Sequence, residues 1–427
     1  MKRMNKLKIW SKIVALTAIV FVFANGLLSA QINYNAIAGQ QLNNQLNTIT
    51  TAVPFLIITP DSRAGGMGDA GVASTPDVNS IHWNPSKLAF VDKKMGIGVS
   101  YTPWLRALVP DINLAYLSYY YKTKKRGTIG ASLRYFSLGD ITFTDANGTV
   151  IGNFRPNEFA VDVAYGIKLG KTLSAGGAVR YINSNLTGGT VVDGAPTRAG
   201  RAVAVDVSAL WRKDKIKLAG GKKAITAIGL NISNIGSKVS YSDRASTGLT
   251  SSNFLPINMR LGASFTCQLD DYNSISIECD ANKLLVPTPP VYERNSAGGV
   301  VYSAGQPVIL YGKDPNRGVT EGMLGSFNDA PGGSKEELRE INYATGLEYW
   351  YNKLFAVRAG FFYENPYKGN RQFFTLGAGV RYNVFGLDFA YLIPTQQRNP
   401  LENTLRFTLT FDFDAFKAQN DEKADAK

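Results

Sequence analysis

The chain has 427 residues, with 46 Lys and Arg against 33 Asp and Glu, one histidine, two cysteines and a mean hydropathy near zero. So few His and Cys leave no cluster for a soft metal centre. No apolar run of about 18 residues lies beyond the N-terminus, so no ordinary transmembrane helix is expected there.

In chain order, "MKRMNKLKIWSK" is a basic leader, "IVALTAIVFVFA" (13–24) an apolar core of signal-peptide length, and Ser29 and Ala30 the small residues of a cleavage site before Gln31. Residues 1–30 therefore read as a signal peptide. A membrane anchor is the alternative, opposed by the short run and the polar "QINYNAIAGQQLNNQLN" after it. Without the five basic residues of this leader the chain keeps 41 basic and 33 acidic groups, a formal +8. That mild balance gives no reason to expect a nucleic-acid partner.

Residues 31–93 show no alternation. They contain "GGMGDAG", in which Gly66, Gly68 and Gly71 have dinucleotide-loop spacing and Asp92 lies about where a ribose-binding acid would sit. Such a loop needs a helix packed on a parallel sheet, whereas Pro76 and Pro85 interrupt the residues after Gly71. The glycines are instead expected to form buried, positive-φ turns with no phosphate-sized helix N-terminus beside Gly66 and Gly68. His82, beside Trp83, would have to supply any Ser-His-Asp triad, and no G-x-S-x-G elbow is present. No catalytic residue, metal site or cofactor is assigned. The segment fits a compact plug for a barrel too wide to fill with side chains alone.

From residue 94 the hydrophobic period is two. "LRFTLTFDF" is the clearest case, with Leu405, Phe407, Leu409, Phe411 and Phe413 alternating with polar residues. Fourteen strands are predicted, starting near 94, 112, 127, 157, 172, 200, 222, 256, 271, 341, 353, 372, 385 and 403. The fold class is all-β: a 14-stranded antiparallel transmembrane barrel over 94–414, with a polar tail, 415–427, after it. A soluble sandwich would carry a polar outer face, whereas one face of nearly every strand here is apolar.

Arg134, Arg180, Arg260, Arg358, Arg381 and Arg406 lie on the opposite parity, with Asp162, Asp206, Glu278, Glu348, Asp388 and Asp412. Placed on the lipid face at mid-depth, a Lys or Arg costs roughly 2–4 kcal/mol. These charges are therefore expected in the lumen, as an ion-pair network. Cys267 and Cys279 fall on adjacent strands at an expected separation of roughly 20 Å, too far for a disulfide.

Connections alternate between short turns and long loops, with 213–221 intermediate. That is the outer-membrane pattern, and it places both termini in the periplasm. The connection 284–340 is too long to be idle. It reads as a non-helical excursion until "SKEELRE", a short helix capped by Ser334. Either it is an external binding or gating element, with Tyr292, Tyr311, Phe327 and Asp329 as nominated contacts, or it is a packed loop without partners.

"IHWNPSKLAF", with Trp83, Asn84 and Pro85, resembles the hatch motif of FadL-like outer-membrane barrels, Ser86 standing where Ala is usual. The wider pattern resembles the PorV (LptO) family of the Bacteroidetes type IX secretion system. It is carried by "ITPDSRAGGMGDAGVASTPDVNSIHWNPSKLAF", "LLVPTPP", "GMLGSFNDAPGG" and "PLENTLRFTLTF", stretches spread over the chain from 58 to 411. The resemblance implies a hatch over 31–93 inside the barrel and a non-enzymatic shuttle. Such a shuttle takes the C-terminal signal domain of secreted cargo from a SprA/Sov-type translocon. It delivers that domain to the cell-surface complex that cleaves the signal and attaches cargo to lipopolysaccharide. The implied setting is the outer membrane and its lipid. Two other readings remain open at this stage: a transporter of hydrophobic small molecules, for which Gly176, Gly177, Gly377 and Gly379 would mark an opening in the wall, and a lipopolysaccharide O-deacylase.

Overall fold

The computed structural model describes residues 46–413, apart from 107, 110, 124–126, 145–146, 190, 193–194, 242–251 and 397–398. The expected signal peptide, residues 31–45 and the 415–427 tail lie outside this set.

Alternation of apolar and polar residues gives fourteen barrel strands: β1 (Met95–Pro103), β2 (Ile112–Lys122), β3 (Gly127–Leu138), β4 (Asn157–Lys168), β5 (Leu173–Asn185), β6 (Gly200–Lys217), β7 (Lys223–Gly236), β8 (Asn258–Gln268), β9 (Asn273–Leu284), β10 (Ile341–Tyr351), β11 (Phe355–Tyr363), β12 (Gln372–Tyr382), β13 (Phe385–Pro394) and β14 (Leu405–Asp412). Each pairs with its sequence neighbour, and β1 pairs antiparallel with β14, closing the barrel. Every expected start falls within two residues of the observed one. Closure leaves no open sheet edge around the ring, the condition a strand must meet to cross a bilayer.

Most exposed side chains along the strands are apolar, as with Val163, Val179, Leu261, Val357, Leu376 and Leu387. Buried residues of the opposite parity include Arg134, Asp162, Arg180, Asp206, Glu348 and Arg358. A soluble protein would show the reverse order. The barrel is inverted because its outer solvent is hydrocarbon.

Residues 46–93 run through this ring. At one end Asn47 N donates to Tyr367 O (2.9 Å) and Ala52 N to Phe254 O (2.9 Å), both in long connections. At the other, Lys122 Nζ donates to Val91 O (2.9 Å) and Lys93 pairs with Asp412 (3.0 Å), beside the short turns. Residue 46 thus lies at the long-loop end and residue 413 at the short-turn end. Within these residues the segment crosses the barrel once before β1 begins, while the chain ends expected on the short-turn side lie outside the described residues.

Three expectations need correction. The 285–340 excursion contains a helix besides the predicted one: α3 (Val319–Gly325) precedes α4 (Ser334–Arg339), and α4 is preceded by Gly333, with Ser334 inside it and making no cap. The strand β6 runs on to Lys217, so most of 213–221 is hairpin rather than turn. Cys267 faces Ile275 and Cys279 faces Ala263 across β8 and β9, an offset of four residues, or about 13 Å along the strand. Both are free thiols.

The path of residues 46–93 has a direct check. In a chain carrying Cys267→Ser and Cys279→Ser, Leu46→Cys should react with an impermeant maleimide from the same membrane face as Ala304→Cys in the excursion. Lys222→Cys at a short turn should react from the other face.

Candidate functional site

The lumen is a polar wall wrapped around a peptide segment. One turn of helix, α1 (Ser62–Gly65), is capped by Asp61, whose Oδ2 accepts from Ala64 N at 3.0 Å. Gly66 is the C-cap of this turn, so Gly66 and Gly68 follow its C-terminus, while its N-terminus at Ser62 is closed by the Asp61 carboxylate. Gly66 and Gly68 are both buried. Only Gly68 takes the positive φ expected of these glycines (+69°). A Cβ there would sit 2.5 Å from Phe361 N. Gly71 is needed for proximity, since a Cβ would meet the Trp83 ring at 2.4 Å. Asp92 lies past the segment's last helical turn, at the short-turn end.

The Trp83-Asn84-Pro85 stretch, at the end of α2 (Ser80–Trp83), is held on both sides. Trp83 Nε1 donates to Asp61 Oδ1 (2.7 Å). Asn84 Nδ2 donates to Val72 O (3.1 Å) within the segment and to Ala209 O (3.2 Å) on β6, while Asn84 Oδ1 caps Ser86 N (3.1 Å). Pro85 and Ser86 press on Gly176, where a Cβ would be 2.3 Å from Ser86 N. Gly66 similarly approaches Gly377, with a Cβ at Gly377 only 3.1 Å from the Gly66 Cα. Strand pairing continues through Gly176 and Gly177 on both edges, to β4 and to β6. Close backbone packing thus accounts for these wall glycines without an opening at that point.

Inward charges do two things. Some pair with one another: Arg180 contacts Asp162 (2.5 Å) and Asp206 (3.1 Å), and Arg358 contacts Glu348 (2.7 Å) and Asp388 (2.9 Å), with Arg381 also on Asp388 (2.6 Å). Others grip the segment. Glu348 also holds Arg63 (2.8 Å), Arg406 holds Asp69 (2.7 Å), Glu278 accepts from Ala73 N (2.7 Å), and Asp280 accepts from Gly71 N (2.8 Å) and Val72 N (3.1 Å). Arg134 donates to the carbonyls of Phe55 (3.2 Å) and Leu56 (2.5 Å). Arg260 donates to His82 O (3.3 Å) and lies 5.0 Å over the Trp83 ring. Asp412, at the rim, pairs with Lys93.

His82 Nδ1 sits 2.6 Å from Arg134 Nη2. A guanidinium only donates, so Nδ1 accepts and the ring is neutral, with its proton on Nε2. Nε2 is buried without a partner. Neither ring nitrogen bonds a serine or an aspartate, so the contacts a triad needs are not made. Among the described residues no group of three or more His, Cys, Asp and Glu could hold a metal ion.

At the long-loop end a second polar cluster fastens the excursion. Lys283 contacts Glu337 (3.0 Å) and Glu340 (2.5 Å), and Lys368 contacts Glu336 (2.5 Å) and Glu340 (2.9 Å). Asn47 Nδ2 joins it through Glu336 (2.9 Å) and Pro289 O (3.2 Å). Burial pushes the carboxyls of Asp329 and Glu337 upward. Of the four nominated contact residues, Phe327 is exposed, while Tyr292 and Tyr311 are half-buried, near the paired strands Val291–Tyr292 and Ile309–Tyr311. Asp329 is only 1% exposed and accepts from Thr288 N (3.4 Å), so it cannot serve as a surface contact. The exposed large hydrophobic residues of the excursion that were not nominated are Tyr302, Leu310, Leu324 and Leu338. Leu324 and Leu338 project from α3 and α4; since α3 was not expected from the sequence, neither was the face it presents.

Between segment and wall near the long-loop end lies a cavity of about 350 Å³. Phe55, Trp104, Phe136, Phe362, Phe373 and Leu392 supply its apolar lining, and Arg260, Arg371, Arg406 and Asp69 its charge.

A closed barrel with an apolar outside and a charged inside defines the class: an outer-membrane β-barrel. A family model described as "Type IX secretion system protein PorV" matches residues 40–291, more than half of the chain, and the chain belongs to that family. No curated protein matches it. Solved structures with a similar course include the Ralstonia pickettii toluene transporter TbuX (12% identity, 82% of this chain and 97% of that one, TM-score 0.42). A Pseudomonas aeruginosa FadL homologue matches at 12% identity over 86% of this chain and 100% of that one (TM-score 0.42). The Pseudomonas putida toluene transporter TodX matches at 12% over 86% and 98% (TM-score 0.40). Likeness this low carries no functional argument, and the barrel stands on its own strand pairing.

Glu348 joins the segment to the wall through Arg63 and Arg358. Glu348→Ala leaves two buried guanidinium groups short of a partner and should destabilise the folded barrel by about 3–5 kcal/mol. A lowered midpoint of unfolding in detergent, with faster proteolysis within 46–93, is the expected outcome.

Proposed function

We propose that this chain is the shuttle of a type IX secretion system. It binds the C-terminal signal domain of cargo leaving a SprA/Sov-type translocon, at the long-loop face, and hands it to the surface complex that cleaves and attaches it. In this reading the long loops face outward, residues 46–93 act as a plug, and no enzymatic step takes place in the chain itself. Membership of the PorV family supports the system. The observation that carries the binding role is the excursion at the long-loop mouth. It is fixed by Lys283, Lys368, Glu336, Glu337 and Glu340 and leaves Leu310, Leu324, Phe327 and Leu338 exposed. An ordered support that displays apolar side chains is what a binding face needs, because little loop entropy is then lost on docking.

A second reading, transport of hydrophobic small molecules, is favoured by the 350 Å³ cavity, whose aromatic walls and arginines suit an apolar body with an anionic end. Uptake of labelled fatty acid, lost in a deletion strain and restored by the gene, would favour it. A deacylase working through His82 gains no support from the Arg134 contact.

For the shuttle, Leu324→Glu with Phe327→Glu should cut recovery of a purified cargo signal domain by roughly ten-fold or more while the barrel assembles normally. Undiminished recovery would exclude this face.

A further inference from the structure

The β6–β7 hairpin is a surface that cargo binding at the other end of the barrel leaves unused. β5 stops pairing with β6 at Leu173 and Trp211, and the last bond runs from Arg212 N to Thr172 O (2.7 Å). Beyond it β6 continues to Lys217 against β7 alone, with a bulge between Lys213 and Ile216 where Lys215 has a φ of +58°. The hairpin therefore projects past β5 at the short-turn end.

Its charge is one-sided. Lys213, Lys215, Lys217, Lys222 and Lys223 are exposed, as is Lys171 on the neighbouring β4–β5 turn. Asp214 is the one acid between residues 212 and 223, and it already pairs with Arg212 (2.8 Å). The next turn adds two exposed acids, Asp270 and Asp271, with Asp270 held low first by hydrogen bonds from Asn273 and Tyr272 and then by the charge of Lys222; against these and Asp214, the six lysines and Arg212 leave the collar net positive. Adjoining it, the wall exposes Leu169, Leu173 and Trp211. Apolar side chains bounded by a Trp and then by lysines match the order of a bilayer edge, where indole rings sit at headgroup depth. Lysine stems there cover apolar surface while their ammonium groups reach phosphate.

We propose that this hairpin, with the β4–β5 turn, binds the anionic headgroups of phospholipids in the leaflet at the short-turn end. Each ammonium acts as a point charge on phosphate, and several together give selectivity over zwitterionic lipid. Strand addition by an acidic protein is the less favourable use of this surface. The open edge is short, bulged and lined with lysine, features that block edge pairing. The site would anchor the orientation of the barrel from the side opposite to the excursion.

The test uses the full chain in nanodiscs of phosphatidylcholine with a minor fraction of phosphatidylglycerol, reading retained lipid by native mass spectrometry. Phosphatidylglycerol should be retained in preference. K213Q/K215Q/K217Q should lower that preference by roughly ten-fold or more, and Lys335→Gln at the far end should not. Heat-modifiable electrophoretic mobility verifies that each variant barrel is folded. Equal retention by wild type and triple variant would overturn the proposal. So would displacement of the lipid by inorganic phosphate alone, which would mean a free-phosphate site. Binding of a poly-glutamate peptide without lipid preference would also overturn it, in favour of an acidic protein partner.

Discussion

A charged side chain on a membrane barrel has only one affordable direction, and much of this molecule depends on that. Roughly 2–4 kcal/mol per Lys or Arg at mid-bilayer keeps Arg134, Arg180, Arg260, Arg358 and Arg406 inside. Once inside they need partners, because unpaired buried charge is more costly still. Asp162, Asp206, Glu348 and Asp388 answer part of that need from neighbouring strands. More is met by residues 46–93, whose carbonyls, amides, Arg63 and Asp69 bond Arg134, Glu278, Asp280, Glu348 and Arg406. Segment and wall therefore supply bonds to each other.

The strand plan was legible because period two is a strong signal and each face has a different solvent. The parity of the arginines and acids came from the same rule. Asp280 was equally readable, since it shares the parity of Glu278. Lys283 was not. It sits on the outward parity of β9, yet it is buried because Glu337 in α4 and Glu340 just after it cover it. Only the folded excursion reveals that. The path of residues 46–93 was hidden for a related reason. Their partners come from residues as far as 346 positions away, and no local pattern records such contacts.

The two ends of the barrel carry different chemistry. The long-loop end has an apolar face on a fixed support, with buried ion pairs beneath it. The short-turn end has a basic collar on a projecting hairpin. In the proposed shuttle role the first would exchange a protein partner and the second would keep the barrel oriented. The link through Asn47, Glu336 and Lys368 ties residue 47 of the internal segment to the excursion.

The central structural claim is that residues 46–93 fill the lumen as a bonded part of the wall. Ionic conductance of the full-length chain in a planar bilayer tests it most directly. A filled lumen predicts no steady current beyond that of the bare membrane. A stable, porin-sized conductance from correctly folded protein would contradict it.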